Sequence, residues 1–192
     1  KNSSLSYDDV LLRPQYSEIR SRADVDIESD LAKGCVLELP IVAAPMDTVT
    51  EGAMAAALTK AGGGAIIHRY NTISEQVRQV KMVAALNEGK SPRVGAAIGV
   101  GTDVITRSQA LVKAGVGFLC LDVAHGHHIM MKEALRALRS ILGDTIHLMA
   151  GNVATLEGIN ALADWGADSV RCNIGGGSIC STRVQTGHGL PG

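Results

Sequence analysis

Short apolar runs alternate with longer amphipathic stretches along most of this chain. Residues 40–44, 65–68, 93–98, 117–122, 145–150 and 168–172 read as strands, most of them nearly all apolar rather than alternating. That is how parallel strands buried on both faces read. The stretches between them carry helical period. Residues 51–61 are alanine-rich. Ile73, Val77, Val80 and Ala84 form a stripe behind a capping box from Thr72 to Glu75. Val104, Ser108, Leu111 and Val112 form another, as do Met131, Leu135, Leu138 and Leu142, and then Leu156, Ile159 and Leu162.

Strand–helix alternation predicts an α/β fold with a parallel sheet. The distinctive residues choose the architecture. Pro45-Met46-Asp47 follows the first strand and His68-Arg69 the second. Gly99-Val100-Gly101 follows the third, and Asp122 with His125 and His127 the fourth. Gly151-Asn152 follows the fifth, and a glycine-rich loop with Cys180 the sixth. An open sheet concentrates ligand groups at one switch point, whereas a barrel gathers every strand end around one mouth. The expectation is a TIM (β/α)8 barrel. Such a barrel needs eight strands and about 250 residues. Residues 1–192 are therefore expected to be one partial barrel domain, truncated after about six strands.

Composition changes this picture little. A net charge of -1 gives no reason to expect a nucleic-acid or membrane surface. No apolar run is long enough to span a bilayer, and residues 1–9 lack the apolar core of a signal peptide. Cys35, Cys120, Cys172 and Cys180 have no CxxC spacing, which points to a reduced, cytoplasmic protein.

The sharpest chemical feature is Gly175-Gly176-Gly177-Ser178-Ile179-Cys180. Glycines let successive backbone groups converge on an ion, and Ser178 is a candidate phosphate donor. Cys180 is placed to attack a bound electrophile, with Thr182 two residues on to donate or relay a proton. A structural cysteine is the competing reading, and it is the one adopted for Cys120 and Cys172 inside apolar strands. Asp122 suits a ribose diol or, equally, a helix N-terminus. Met46 suits either a turn or packing on a flat base. His125, His127 and His128 lack the further ligands of a zinc site, and Gly99-Val100-Gly101 does not complete a dinucleotide fingerprint.

Four segments resemble the IMP dehydrogenase / GMP reductase family, in the family's order. They are Tyr7-Asp8-Asp9-Val10-Leu11-Leu12-Arg13-Pro14, Ala44-Pro45-Met46-Asp47-Thr48-Val49-Thr50-Glu51, Gly151-Asn152-Val153-Ala154-Thr155, and Gly175 to Thr182 with Arg183, Thr186, Gly187, Gly189 and Pro191. The resemblance implies that Cys180 attacks C2 of a purine nucleotide and that hydride passes between C2 and NAD or NADP. It implies that Ser178 binds the 5′-phosphate, with Met46, Asn152 and Arg171 also on the substrate. Asp122, with His125 and Gly126, would serve the cofactor. Backbone carbonyls of Gly175, Gly177 and Cys180 would hold potassium, and the full-length protein would be a homotetramer.

Pro45, Thr50-Glu51 and His125-Gly126-His127 resemble the dehydrogenase. Arg20-Ser21-Arg22-Ala23-Asp24-Val25, Asp122-Val123-Ala124 and Met149-Ala150-Gly151-Asn152 resemble the reductase. The balance favours IMP dehydrogenase, with GMP reductase or a non-catalytic nucleotide-binding fragment as the alternatives. The regulatory CBS pair of many dehydrogenases is replaced by the short stretch 87–92. Asn173 stands where the family usually has Gly, and Ala44 where some dehydrogenases have Ser. The family's mobile flap would lie beyond Gly192, so these 192 residues alone are expected to be without turnover.

Overall fold

The computed structural model of the chain describes residues 5–87, 93–177 and 180–190. An antiparallel hairpin, β1 (Ser29–Asp30) and β2 (Val36–Leu37), precedes six parallel strands. These are β3 (Val42–Ala43), β4 (Gly64–Ile67), β5 (Val94–Ile98), β6 (Phe118–Asp122), β7 (His147–Val153) and β8 (Ser169–Cys172). They pair in strict chain order. Helices α1 (Gly52–Lys60), α2 (Ile73–Leu86), α3 (Val104–Lys113), α4 (Ile129–Leu142) and α5 (Leu156–Asp164) connect successive strands, and α6 (Ser181–Thr186) follows β8. Sequential order without reversal removes the open doubly wound sheet, which needs a switch point. The fold is an arc of six β/α units of a TIM (β/α)8 barrel.

Two apolar layers explain why these segments are strands. One side chain set packs under the helices: Ala65, Ile67, Ala96, Ile98, Leu119, Leu121, Leu148 and Ala150 with Leu111, Leu135, Leu138 and Leu162. The alternate set faces the barrel interior: Ile66, Ala97, Phe118, Cys120 and Met149. Both sets are apolar, so the strands read as continuous runs. Register arranges the inner set in layers, as barrels do. Ile66, Gly95, Phe118 and His147 are paired neighbours, and so are Ala97, Cys120, Met149 and Ser169. A Cβ on Gly95 would lie 2.2 Å from the Phe118 ring, so only glycine admits that ring.

The β1–β2 hairpin closes one end of this interior. Its Cys35 and Leu37 join the inner cluster, and Lys33 reaches Asp168 Oδ1 at 3.1 Å. Its two-residue strands are too short to register as strands in the apolar pattern. The turn uses Lys33 and Gly34 at φ +52° and +74°.

Several expectations need correction. Pro40 has no N–H to give a ladder, and only Val42 and Ala43 pair in the first strand. The strand expected at 145–150 is β7, which runs on to Val153 through a register shift between Gly151 and Val153. On α2 the fully buried positions are Gln76, Gln79, Val80 and Val83, not the expected Ile73, Val77 and Ala84. Gln76 is buried because its amide donates to the carbonyls of Ala97 (2.8 Å), within β5, and of His68 (3.0 Å), just past β4. Thr72 caps α2 by accepting from Glu75 N–H at 3.2 Å, but the Glu75 carboxylate accepts from Arg78 rather than closing the box. Cys172, expected in the core, is exposed at the end of β8.

Candidate active site

The strand ends carry the site. The ladder pairs Asp122 with Gly151 and Gly151 with Arg171, one layer above Cys120 and Met149. Gly151 has no side chain, so Arg171 passes over it. Its Nη1 donates to Asp122 Oδ1 at 2.6 Å. A Cβ on Gly151 would lie 2.6 Å from Arg171 Cβ. Asn152, in the register shift beyond Gly151, sends Nδ2 to Val123 O at 3.2 Å and to Asp122 Oδ1 at 3.4 Å. Among the described residues nothing donates to Asp122 Oδ2. Asp122 is not a helix-terminal acid, because His128 caps α4 and accepts from Met130 N–H at 3.2 Å.

These groups open into a cavity of about 420 Å³, whose walls include Met46, Asp47, Tyr70, Asp122, Arg171 and Ser181. The Met46 turn is fixed from beneath. Thr50 is fully buried, and its hydroxyl donates to Ala44 O at 2.5 Å. His68 accepts from Tyr70 N–H on Nδ1 at 3.1 Å, so its Nε2 carries the proton shared with Glu51 Oε1, also at 3.1 Å. Tyr70 and Ser181 are cavity residues that sequence reasoning did not single out. Tyr70 lies in the same loop as His68-Arg69, and Ser181 directly follows Cys180, so position alone offered a signal for both.

Cys180 sits at the cap of α6, with its thiol partly buried. The Arg183 N–H holds its pKa below the ordinary cysteine value. Burial opposes this, and the Thr182 N–H and hydroxyl and the Gly175 backbone add to the lowering. Cys120 contrasts with it. Burial pushes that thiol up to about 12. The two thiols are thus shifted in opposite directions, Cys180 toward the thiolate and Cys120 away from it. Ser181, not Cys180 itself, forms the cavity wall. The loop from Ile174 to Leu190 is closed by Leu190 N–H donating to Ile174 O at 2.8 Å.

Along residues 4–192 the chain matches the family model described as the IMP dehydrogenase / GMP reductase domain. It belongs to this family. An inosine-5′-monophosphate dehydrogenase of Cryptosporidium parvum is 34% identical over 97% of this chain and 55% of its own length. One from Borreliella burgdorferi is 32% identical over 98% and 57%. One from Nitrosopumilus maritimus is 28% identical over 97% and 64%. The chain thus spans between half and two thirds of these relatives.

Other residues expected from the IMP dehydrogenase / GMP reductase pattern fall as follows. Gly126 is buried and donates to Asn152 O at 2.7 Å, which ties its loop to β7. His125 is exposed, and neither residue lines the cavity. His127 tilts against Trp165. Asn173, in place of the family's Gly, has φ +85°. Asn tolerates that left-handed region better than other side chains, so the backbone demand is met. Ser178 lies outside the described residues.

The carbonyls proposed for a cation are engaged internally. Gly175 O accepts from Arg183 Nη1 at 3.2 Å, Gly177 O from Cys180 N–H at 3.3 Å, and Cys180 O from Val184 N–H at 3.1 Å. With a guanidinium already on Gly175 O, this donor set does not fit a potassium ion as it stands.

Proposed function

We propose that the protein is an IMP dehydrogenase, converting IMP, NAD and water to XMP, NADH and a proton. The carrying observation is the convergence of Met46, Asp122, Asn152 and Arg171 on one cavity whose wall includes Ser181, the neighbour of an acidified thiol. The Cys180 thiolate adds to C2 of the purine while Met46 packs on the base. NAD supplies the hydride acceptor. Asp122 uses Oδ2 for the cofactor ribose, with its other oxygen held by Arg171. Asn152 and Arg171 stand beside the reacting groups. Thr182 relays a proton while water hydrolyses the C2–sulfur bond, which releases XMP and the thiol. No step is routed through potassium. Ser178 takes the substrate 5′-phosphate, and His125 with Gly126 borders the cofactor.

The domain reading is that 1–192 are a partial barrel catalytic domain without an inserted CBS pair. Its support is the interval between α2 and β5, which holds only residues 87–93. The alignment to the Nitrosopumilus relative runs over 307 positions, over a hundred more than this chain has residues. Family membership supports tetrameric assembly and a cytoplasmic site of action. Leu11 and Leu12, 98% and 99% exposed, offer apolar area for packing. No described helix is long and apolar enough to cross a membrane.

One assay tests the reading. The full-length protein should reduce NAD with IMP and should leave GMP with NADPH unchanged. Turnover of the second pair alone overturns it in favour of GMP reductase. If neither pair reacts, and Cys180→Ala leaves nucleotide affinity unchanged, the protein is a binding module instead.

A further inference from the structure

Beside the Asp122–Arg171 pair lies a cationic feature that this chemistry does not use. Arg69 lies in the loop between β4 and α2. Its guanidinium lies 5.5 Å from the centre of the Tyr70 ring, and Tyr70 itself lines the cavity. Among the described residues it has no carboxylate partner, whereas Arg107 on α3 and Arg171 on β8 each have one. Arg69 Nε is fully shielded from solvent and has no hydrogen-bond partner. Two residues on, Asn71 has both side-chain polar atoms shielded and unpartnered. Buried polar atoms without partners are costly, and three within one short loop point to a missing ligand.

Gly99 marks the open side of the guanidinium. A Cβ built there would stand 3.4 Å from Arg69 Nη1 and 3.8 Å from the Gly101 nitrogen. Glycine therefore keeps a side chain out of the space that the guanidinium and the turn's backbone border. Continuing the Ile98–Leu121 pairing by one residue sets Gly99 beside Asp122. The Gly99 backbone is therefore about one strand spacing, roughly 5 Å, from the backbone of Asp122, whose carboxylate is proposed to hold a ribose. A phosphate attached to that ribose falls within this reach. Arg171 already neutralises Asp122 on its other side, so the carboxylate does not exclude an anion.

We infer that Arg69, with the Gly99–Gly101 turn, forms an anion subsite that takes the pyrophosphate of the dinucleotide cofactor. The inference rests on the nucleotide-site reading above and extends it to a residue that reading leaves idle. Arginine suits the task because its planar fork matches phosphate oxygens. Glycine at 99 keeps the cradle open.

The test uses the full-length protein and calorimetric titration with NAD, IMP, nicotinamide riboside and inorganic pyrophosphate. Arg69→Gln should weaken NAD by at least about tenfold, as loss of a charge-assisted bond does. It should leave IMP and nicotinamide riboside within about twofold. Gly99→Ala keeps the charge but fills the cradle, and should weaken NAD comparably. Arg69→Lys should recover part of the affinity. Melting curves within a few degrees of the parent keep folding out of the result. Unchanged NAD affinity in both Arg69→Gln and Gly99→Ala overturns the subsite while leaving the dehydrogenase reading intact. Loss of IMP with NAD unchanged overturns it as well, since the guanidinium then serves the mononucleotide phosphate. Pyrophosphate binding that needs Arg69, in a protein that takes no dinucleotide, upholds the anion site and sinks the dehydrogenase reading instead. If the parent protein binds neither pyrophosphate nor NAD, the subsite is refuted.

Discussion

Arg171 crosses the bare backbone of Gly151 to donate to Asp122 at 2.6 Å, joining the ends of β8 and β6 over the strand between them. The pair is half-shielded, so its attraction is stronger than that of an exposed ion pair. Asp122→Asn removes the negative partner and leaves Arg171 facing the cavity uncompensated. NAD affinity should fall by about tenfold or more, with IMP affinity nearly unchanged. Parallel titrations of the two ligands measure this. An equal loss of both would mean that Asp122 serves the whole cavity rather than the cofactor.

The crossing depends on the glycine beneath it. Gly151→Ala puts a methyl 2.6 Å from Arg171 Cβ and 2.9 Å from Arg171 O. Neither contact is relieved by rotating a side chain. The variant should lose about 2–4 kcal/mol of stability, seen as a lower midpoint in urea unfolding. A stability equal to the parent would show that β7 and β8 separate freely.

The cysteines should separate by reactivity. Iodoacetamide at neutral pH should label Cys180 fastest, because the Arg183 N–H and its neighbours favour the thiolate. Its labelling rate should reach half-maximum at a pH below the ordinary thiol range. Cys120, pushed up to about 12 and fully buried, should react only after unfolding, and Cys35, raised by burial, should behave alike. Peptide mass mapping of a time course reads all of them. Native-state labelling of Cys120 ahead of Cys180 would contradict the assignment.

Acid should loosen the closed end of the barrel. Burial alone would raise the Asp168 pKa, but the Leu148 N–H, Arg139 and Lys33 outweigh it and hold the carboxyl below its ordinary value. A depressed carboxylate stabilises fully above its unfolded pKa, near ~3.9, and that contribution is lost as pH falls through the lower folded value. Asp168→Asn should cost about 1–3 kcal/mol near neutral pH. The gap between variant and parent should close in strong acid. Denaturant midpoints across pH 2–7 would show it, and a gap independent of pH would count against the ion pairs.

Most strands of the barrel were legible because both of their faces are apolar, and the barrel because each strand ends in a distinctive residue. The hairpin was not, since two-residue strands leave no periodicity and Lys33 takes its turn without a proline or paired glycines. The buried face of α2 was misread because Gln76 and Gln79 are polar, and only the neighbouring strand ends reveal why they are inside. In the site, Cys180, Asp122, Asn152 and Arg171 stood out as separate residues. That Arg171 pairs with Asp122, 49 positions away, is a consequence of register across three strands. Pattern in the chain does not carry that information.

The shift between Gly151 and Val153 sets two positions of β7 against one step of β8. Asn152 is thereby unmatched on the β8 side, while its N–H donates to Val123 O and its carbonyl accepts from the Gly126 N–H on the other. Its side chain serves the mouth, held by Val123 O and Asp122, while Gly151 and Val153 on either side answer to the barrel. Side-chain chemistry at that point can be exchanged with little retuning of the packing, because Gly151 and Val153 keep their own partners on β8 on either side of the extra position.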